Sequence, residues 1–424
     1  MAPPDDWSGT RLTRRRLLRR LGGLALLGLA GAELGRVDGP APGAEAGRGT
    51  NRRHAARAVD GSHAAGLAPP VRLTEDRFSI FWVTDTQFLS ESNPDLFVRA
   101  MSWIADNFAR YNGKMVIHTG DIVQTGSVQA EWSNADGALS VLLGRGIPYT
   151  WCAGNHDDLS GDDPSSGWMG RLWARSLDPS VVGPMVDGAG SSHWVGDLRD
   201  GMNTAVSFSA GRLKFLVLNL EWGADASTLE WAQETLDDPA YADHRVIAAA
   251  HAYIDPSGST EGPDAEPVLL DFTRRLTALL NRHSPRVFLT LNGHFPTDQG
   301  YNTPQPVNGR NELMFDRQDC TDDPRSPQGR GVDGADATVP SSRRVGGATV
   351  TVLTFDPGQN VIEVSTYDAH TGAWRDDPNE RYVTPMFPPG GSRSSVTGSL
   401  VGGSPLTDPI PVGPRPGPGI PTSA

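Results

Sequence analysis

Seven residues of this chain, Asp85, Gln87, Asp121, Asn155, His156, His251 and His294, stand at or just past the end of a short apolar run. The runs are FSIFWVTD (78–85), KMVIHTGD (114–121), PYTWCAGN (148–155), HRVIAAAH (244–251) and RVFLTLNGH (286–294). One such ending says little, because Asp and Asn are common where strands stop. Five endings that offer carboxylate, amide and imidazole groups call for another reason. Oxygen and imidazole nitrogen without thiolate suit Zn, Mn, Fe or a similar divalent ion. Two ions held close together need a shared ligand, and a carboxylate can bridge them. Such a pair can bind both oxygens of an in-line phosphoryl displacement and activate a water between them. Hydrolysis of a phosphate ester is the reaction this donor set fits best.

The elements between the runs must bring these ends together. PDLFVRAMSWIADNFARY (94–111) carries apolar residues at helical spacing, and 127–146 is a second helix closed by glycine. Strand, helix, strand, helix, strand over 78–155 calls for parallel strands with right-handed crossovers. In such sheets ligands bind beyond the carboxyl ends of the strands. Further on, 204–219 reads as a hairpin around Ala210-Gly211, and 227–238 as a helix with a capping box from Ser227 to Glu230. A helix at 265–283 separates the strands that end in His251 and His294. The stretch 347–368 is a hairpin turning at Pro357-Gly358. The Gly/Pro/Asp-rich stretches 157–203 and 296–346 read as long loops near a site.

The two ends of the 424-residue chain read differently. Thr13-Arg14-Arg15-Arg16-Leu17-Leu18-Arg19, an apolar run over 21–30 and Ala30-Gly31-Ala32 predict an export signal over 1–32, of the twin-arginine kind that engages the machinery for folded cargo. The apolar run is shorter than the roughly 20 residues of a membrane span. Residues 33–70 read as a flexible leader, 71–384 as the folded domain, and 385–424 as a disordered Pro/Gly/Ser-rich tail. The expected location is secreted or extracytoplasmic. A net charge of −13 argues against a protein that coats nucleic acid. Two cysteines, Cys152 and Cys320, are too few for a disulfide scaffold; their pairing is open.

DTQ (85–87), GD (120–121), GNHD (154–157), His251 and GH (293–294) occur in the order found in calcineurin-like metallophosphoesterases. The chain resembles that family over roughly 77–368, and with its Asp-Thr-Gln start it resembles a bacterial exported branch. The resemblance implies a four-layer α/β/β/α sandwich of two mixed sheets and two divalent metal ions. It implies that Asp121 bridges, that Asn155, His251 and His294 complete one metal site, and that Asp85 and Gln87 serve the other. His156 would face the substrate and stabilise or protonate the leaving oxygen, with Asp157 or Asp158 orienting it.

Two departures weaken the first site: Gln87 stands where the family has histidine, and Pro296 where it has a further histidine ligand. Gln124 in place of a tyrosine argues against the purple acid phosphatase branch. The expected activity is metal-dependent hydrolysis of a phosphomonoester or phosphodiester; the rival is a non-catalytic surface binding protein on a degenerate scaffold. Of the remaining candidates, His118 reads as a packed structural residue. His193, His244 and His283 read as solvated. Tyr253, Arg310 and Arg317 divide between structural or solvated roles and contact with substrate.

Overall fold

Strand β1 (Phe78–Val83) is buried along its whole length, as a continuous apolar run must be when both faces of its strand are covered. The computed structural model describes residues 76–158, 168–255, 258–260, 267–295, 301–302, 309–315, 347–375 and 380–388. The expected signal, leader and most of the tail lie outside the described residues, as do Pro296, Arg317 and Cys320. After β1 come α1 (Gln87–Ser92), α2 (Pro94–Asn107), β2 (Gly113–His118), α3 (Gln129–Gly144) and β3 (Tyr149–Trp151). β1, β2 and β3 lie side by side and parallel. α2 opens on Pro94, whose ring suits a first helical turn, and closes earlier than the spacing suggests. A turn in which Gly113 N donates to Phe108 O at 2.7 Å then feeds β2.

Beyond α4 (Asn155–Asp158), the stretch read as a long loop holds regular structure: α5 (Pro179–Gly188) and the strand β4 (Ser192–Leu198). Asp178 caps α5, accepting from Ser180 N at 2.9 Å. β4 lies at a sheet edge and is mostly part-exposed, so its sequence shows no clean alternation.

The second sheet continues with β5 (Asn203–Ala210), β6 (Leu213–Leu220), β7 (Arg245–Ala250), β8 (Val287–Asn292), β9 (Tyr301–Asn302) and β10 (Asn311–Met314). Its order is β4-β5-β6-β7-β8-β10-β9, with β6, β7, β8 and β10 parallel. The helices α6 (Ala226–Asp237) and α7 (Pro267–Arg282) join its parallel strands. Asp225, rather than Ser227, caps α6: its carboxylate accepts from Thr228 N at 3.0 Å and from Ser227 Oγ at 2.7 Å. The chain then returns to the first sheet through β11 (Thr349–Asp356), β12 (Val361–Asp368), β13 (Ala373–Trp374) and β14 (Arg381–Pro385), giving the order β13-β12-β11-β1-β2-β3 with β14 on β12.

Alternation along the strands stacks the layers. Phe78 of β1 meets Phe208 and Phe215 of the second sheet, with ring centroids 6.3 and 5.2 Å away. Phe81 points the other way, onto Trp103, Phe108 and Tyr111 of α2 and the turn after it. In β6, Phe215 and Val217 join the inter-sheet core, whereas Leu216, Leu218 and Leu220 face α6 and α7. The architecture is therefore the four-layer α/β/β/α sandwich of two mixed sheets.

The domain runs past the expected boundary at 385. β14 includes Pro385, Met386 is fully buried, and Phe387 N donates to Asn360 Oδ1 at 2.8 Å. Met386 and Phe387 are two of the few large apolar residues in a segment whose average composition is that of a tail. Among the described residues no helix is long and apolar enough to cross a membrane.

Candidate metal centre

The parallel strands of both sheets deliver their polar ends to one place. Asp85 and Asp121 follow β1 and β2 at φ 51° each, and His294 follows β8 at φ 74°. Such left-handed backbone costs about 1–3 kcal/mol at a non-glycine residue and persists where the surroundings enforce it. Here Asp85 N donates to Gly120 O at 3.0 Å, and Gly293 N to His251 O at 3.0 Å, tying neighbouring strand ends together.

Glycine at 154 and 293 is a steric requirement. A Cβ on Gly154 would collide with Asp121, lying 2.8 Å from its Cγ and nearer still to its Oδ1 and backbone N. A Cβ on Gly293 would strike the Asp85 carboxylate and Thr84 Oγ1.

Four donor groups converge. Asn155 Oδ1 lies 2.9 Å from His251 Nε2 and 2.9 Å from His294 Nδ1. These two ring nitrogens are 3.2 Å apart, and Asp121 Oδ1 is 3.3 Å from His251 Nε2. The ligand atoms of Asp121, His251 and His294 all lie within 4.8 Å of one another. His251 Nδ1 donates to Thr119 O at 2.9 Å, which turns Nε2 toward Asn155 and Asp121. Lone pairs from a carboxylate, an amide oxygen and two imidazoles thus face a common centre, an arrangement that a proton or a metal cation can satisfy. The donor set fits a divalent ion.

Electrostatics decide where a proton sits among these groups. Burial opposes a charge on His251, but Asp121 beside it outweighs burial and pushes the ring up to about 10. Burial alone would raise Asp121; the histidines around it hold it below the usual carboxylate range. Burial, and then the charge on His251, push His294 down to about 3. The pocket favours one positive charge and resists a second proton nearby.

The other expected ligands flank this cluster. Gln87, fully buried at the start of α1, donates its amide to Asp121 Oδ2 at 3.4 Å. Asp85 accepts from Thr84 Oγ1 and from His294 N, the latter at 3.2 Å. His156 sits on the rim with about a third of its side chain exposed. Its Nδ1 lies 3.0 Å from Gln124 O, and its Nε2 is 4.0 Å from Asp121 Oδ2.

Asp157 does not orient His156, contrary to expectation. Its Oδ1 accepts from Ile122 N and Val123 N at 2.8 and 2.9 Å, and its Oδ2 accepts from Gly154 N at 2.8 Å. It is a buried clamp between the loops after β2 and β3, and burial together with Asp121 pushes it up to about 7. The backbone carbonyl of Gln124 aims the His156 ring instead. No residue pattern announces a carbonyl ligand, so sequence reasoning could not find it, nor the Thr119 carbonyl behind His251. Trp222 and Phe295, with ring centroids 6.5 and 4.8 Å from His294, form an aromatic flank that was likewise unmarked in the sequence.

Other expectations resolve away from the centre. His118 is buried, accepts from Gly120 N at 3.2 Å and lies 3.0 Å from Thr86 Oγ1, the packed role expected of it. His193 is exposed, whereas His244 and His283 are largely covered. Tyr253 and Arg310 are core residues: the fully buried Arg310 donates to Tyr253 Oη, Asn281 Oδ1 and Glu312. Cys152 is buried and has no disulfide partner among the described residues.

The profile of the calcineurin-like phosphoesterase family matches residues 78–298, just over half of the chain. The uncharacterized protein YvnB of Bacillus subtilis (strain 168) is 26% identical over 302 residues, which make up 71% of this chain and 20% of that protein. The chain thus spans one-fifth of that relative's length. Among solved structures, purple acid phosphatase PPD1 from yellow lupin (Lupinus luteus) seeds superposes with a TM-score of 0.44 and 13% identity, over 74% of this chain and 54% of that one. A dimetal phosphatase from Danio rerio gives 0.40 and 14% identity, over 69% and 95%.

Proposed function

This chain belongs to the calcineurin-like phosphoesterase family, and from that premise we propose that it is an exported phosphoesterase that hydrolyses a phosphomonoester or phosphodiester with divalent metal ions. The observation that carries the reading is the meeting of Asp121 Oδ1, Asn155 Oδ1, His251 Nε2 and His294 Nδ1 around one point. When bound, divalent ions polarise phosphoryl oxygens and acidify the attacking water. The chain's own residues do the rest. Asp121, Asn155, His251 and His294 would hold one ion, and Asp85 and Gln87, with Asp121, would serve a second. His156, held at Nδ1 by the Gln124 carbonyl, presents Nε2 to the centre and delivers a proton from that atom to the departing ester oxygen. Export rests on the arginine-rich start and the apolar run that follows it.

A screen of aryl phosphate mono- and diesters with Mn²⁺, Zn²⁺ and Mg²⁺ tests the reading. Hydrolysis is expected to stop on adding chelator and to fall about 10²–10⁴-fold in His156→Ala, with metal content unchanged. Turnover that survives chelation would remove the metals from the account. A second reading, a non-catalytic binder, draws on Gln87, which offers Asp121 an amide N–H. A pure protein that retains no cation and cleaves no ester would favour it.

A further inference from the structure

The proposed centre straddles two sheets: Asp85, Asp121 and Asn155 follow strands of the first, and His251 and His294 follow strands of the second. Its geometry is only as good as the register between the sheets, and most of that interface is apolar, hence non-directional. β3, the strand that leads to Asn155 and His156, is an edge of the first sheet. Toward β2 its continuation is paired, with Cys152 N donating to His118 O at 3.2 Å. Its other side would present bare N–H and C=O groups.

One side chain of the second sheet covers those of Trp151. Trp151 N donates to Thr204 Oγ1 at 3.2 Å, and the same hydroxyl donates to Trp151 O. Thr150 Oγ1 lies 2.7 Å from Thr204 Oγ1, and Asn219 Nδ2 donates to Thr150 Oγ1 at 3.0 Å. A hydroxyl carries one proton and two acceptor lone pairs. Thr204 gives its proton to Trp151 O, so Trp151 N–H and Thr150 O–H fill both lone pairs. Two residues on, Ala153 N donates to Met202 O at 2.9 Å, and Ala153 O accepts from Trp222 N at 3.0 Å. From Trp151 to Ala153, the residue before Gly154, the free side of the strand is therefore stitched to the start of β5 and the end of β6.

We infer that Thr204 is a positioning residue: its hydroxyl stands in for a missing neighbour strand along β3 and so sets Asn155 and His156 against His251 and His294. Thr204 is fully buried, and its side-chain hydrogen bonds go to Trp151 and Thr150 rather than to a candidate ligand, so it acts through Trp151. A valine has nearly the same shape but offers neither the proton nor the lone pairs, leaving a buried N–H and C=O unpaired. A serine keeps both.

The inference rests on the metal-centre reading, and calorimetric titration of the metal-stripped full chain with Mn²⁺ separates the two. Thr204→Val is expected to weaken the ion by at least about tenfold, as loss of an outer support does, and Thr204→Ser to stay within about threefold of wild type. Thr351→Val is the control, because it removes a buried Thr–Thr contact of 3.3 Å to Thr366, between β11 and β12 of the first sheet. It is expected to lower stability without changing affinity. Equal affinity in wild type and Thr204→Val, or equal loss in the control, overturns the positioning role. A wild-type chain that binds no divalent ion overturns the centre itself, and the positioning role with it. If Thr204→Val does not fold, Thr204→Ala carries the test: it removes the same proton and lone pairs without setting a second methyl group against Trp151, and unchanged affinity there overturns the role.

Discussion

Gly154→Ala perturbs the proposed centre by one methyl group. The new Cβ would lie 2.8 Å from Asp121 Cγ, whereas unbonded carbons rest at about 3.5–4.0 Å. The loops after β2 and β3 would have to part by about 0.7 Å or more. Metal–ligand distances tolerate only about 0.2 Å, and Asp121 and Asn155, one in each loop, would need to stay on the same ion. Two costs can be compared. Overpacking a tight site costs about 1–3 kcal/mol of fold stability, which a domain with two large cores survives. A 1 Å misplacement costs about 10²-fold in rate. The variant is therefore expected to fold, to bind Mn²⁺ at least about tenfold more weakly, and to hydrolyse an aryl phosphate about 10²-fold more slowly. Calorimetry, steady-state kinetics and a thermal melt measure the three quantities. Wild-type affinity and turnover in a folded Gly154→Ala protein would refute the reasoning, because the close approach would then have no bearing on the ion.

Asp157→Ala would leave three buried N–H groups, of Ile122, Val123 and Gly154, without their acceptor. At about 1–3 kcal/mol for each unmet donor, unfolding free energy in urea is expected to drop by more than about 2 kcal/mol, and an unchanged midpoint contradicts the clamp. Gln87→His restores an imidazole beside Asp85 and Asp121; elemental analysis after dialysis at graded free Mn²⁺ is expected to reach two ions per chain at a lower concentration than in wild type. A variant no tighter than wild type would show that the glutamine does not limit that site.

The strand ends were legible because position and chemistry coincide there: an apolar run announces a buried strand, and a polar residue at its close must face outward from the sheet. That logic placed Asp85, Asp121, Asn155, His251 and His294 at neighbouring strand ends before any geometry was known. It failed where the cause is long-range. Asp157 shares its stretch with His156, and nothing in the sequence shows that its carboxylate reaches back to Ile122 and Val123. Arg310 reads as a loop cation, yet its partners Tyr253 and Asn281 lie far away in the chain. The sequence does not mark β4 because this edge strand is part-exposed along most of its length and neither face is cleanly buried, and it marks the start of α6 ambiguously because Asp225 and Ser227 are both good caps. In that last case only the observed bond to Thr228 N decides.

The most direct test is anomalous diffraction from crystals grown with Mn²⁺. The account predicts a peak bonded to Asp121 Oδ1, Asn155 Oδ1, His251 Nε2 and His294 Nδ1 at about 2.0–2.3 Å, close to the distances that oxygen and imidazole ligands hold to ions of this class. Density showing those four atoms hydrogen-bonded only to one another and to water, with no peak between them, would contradict it.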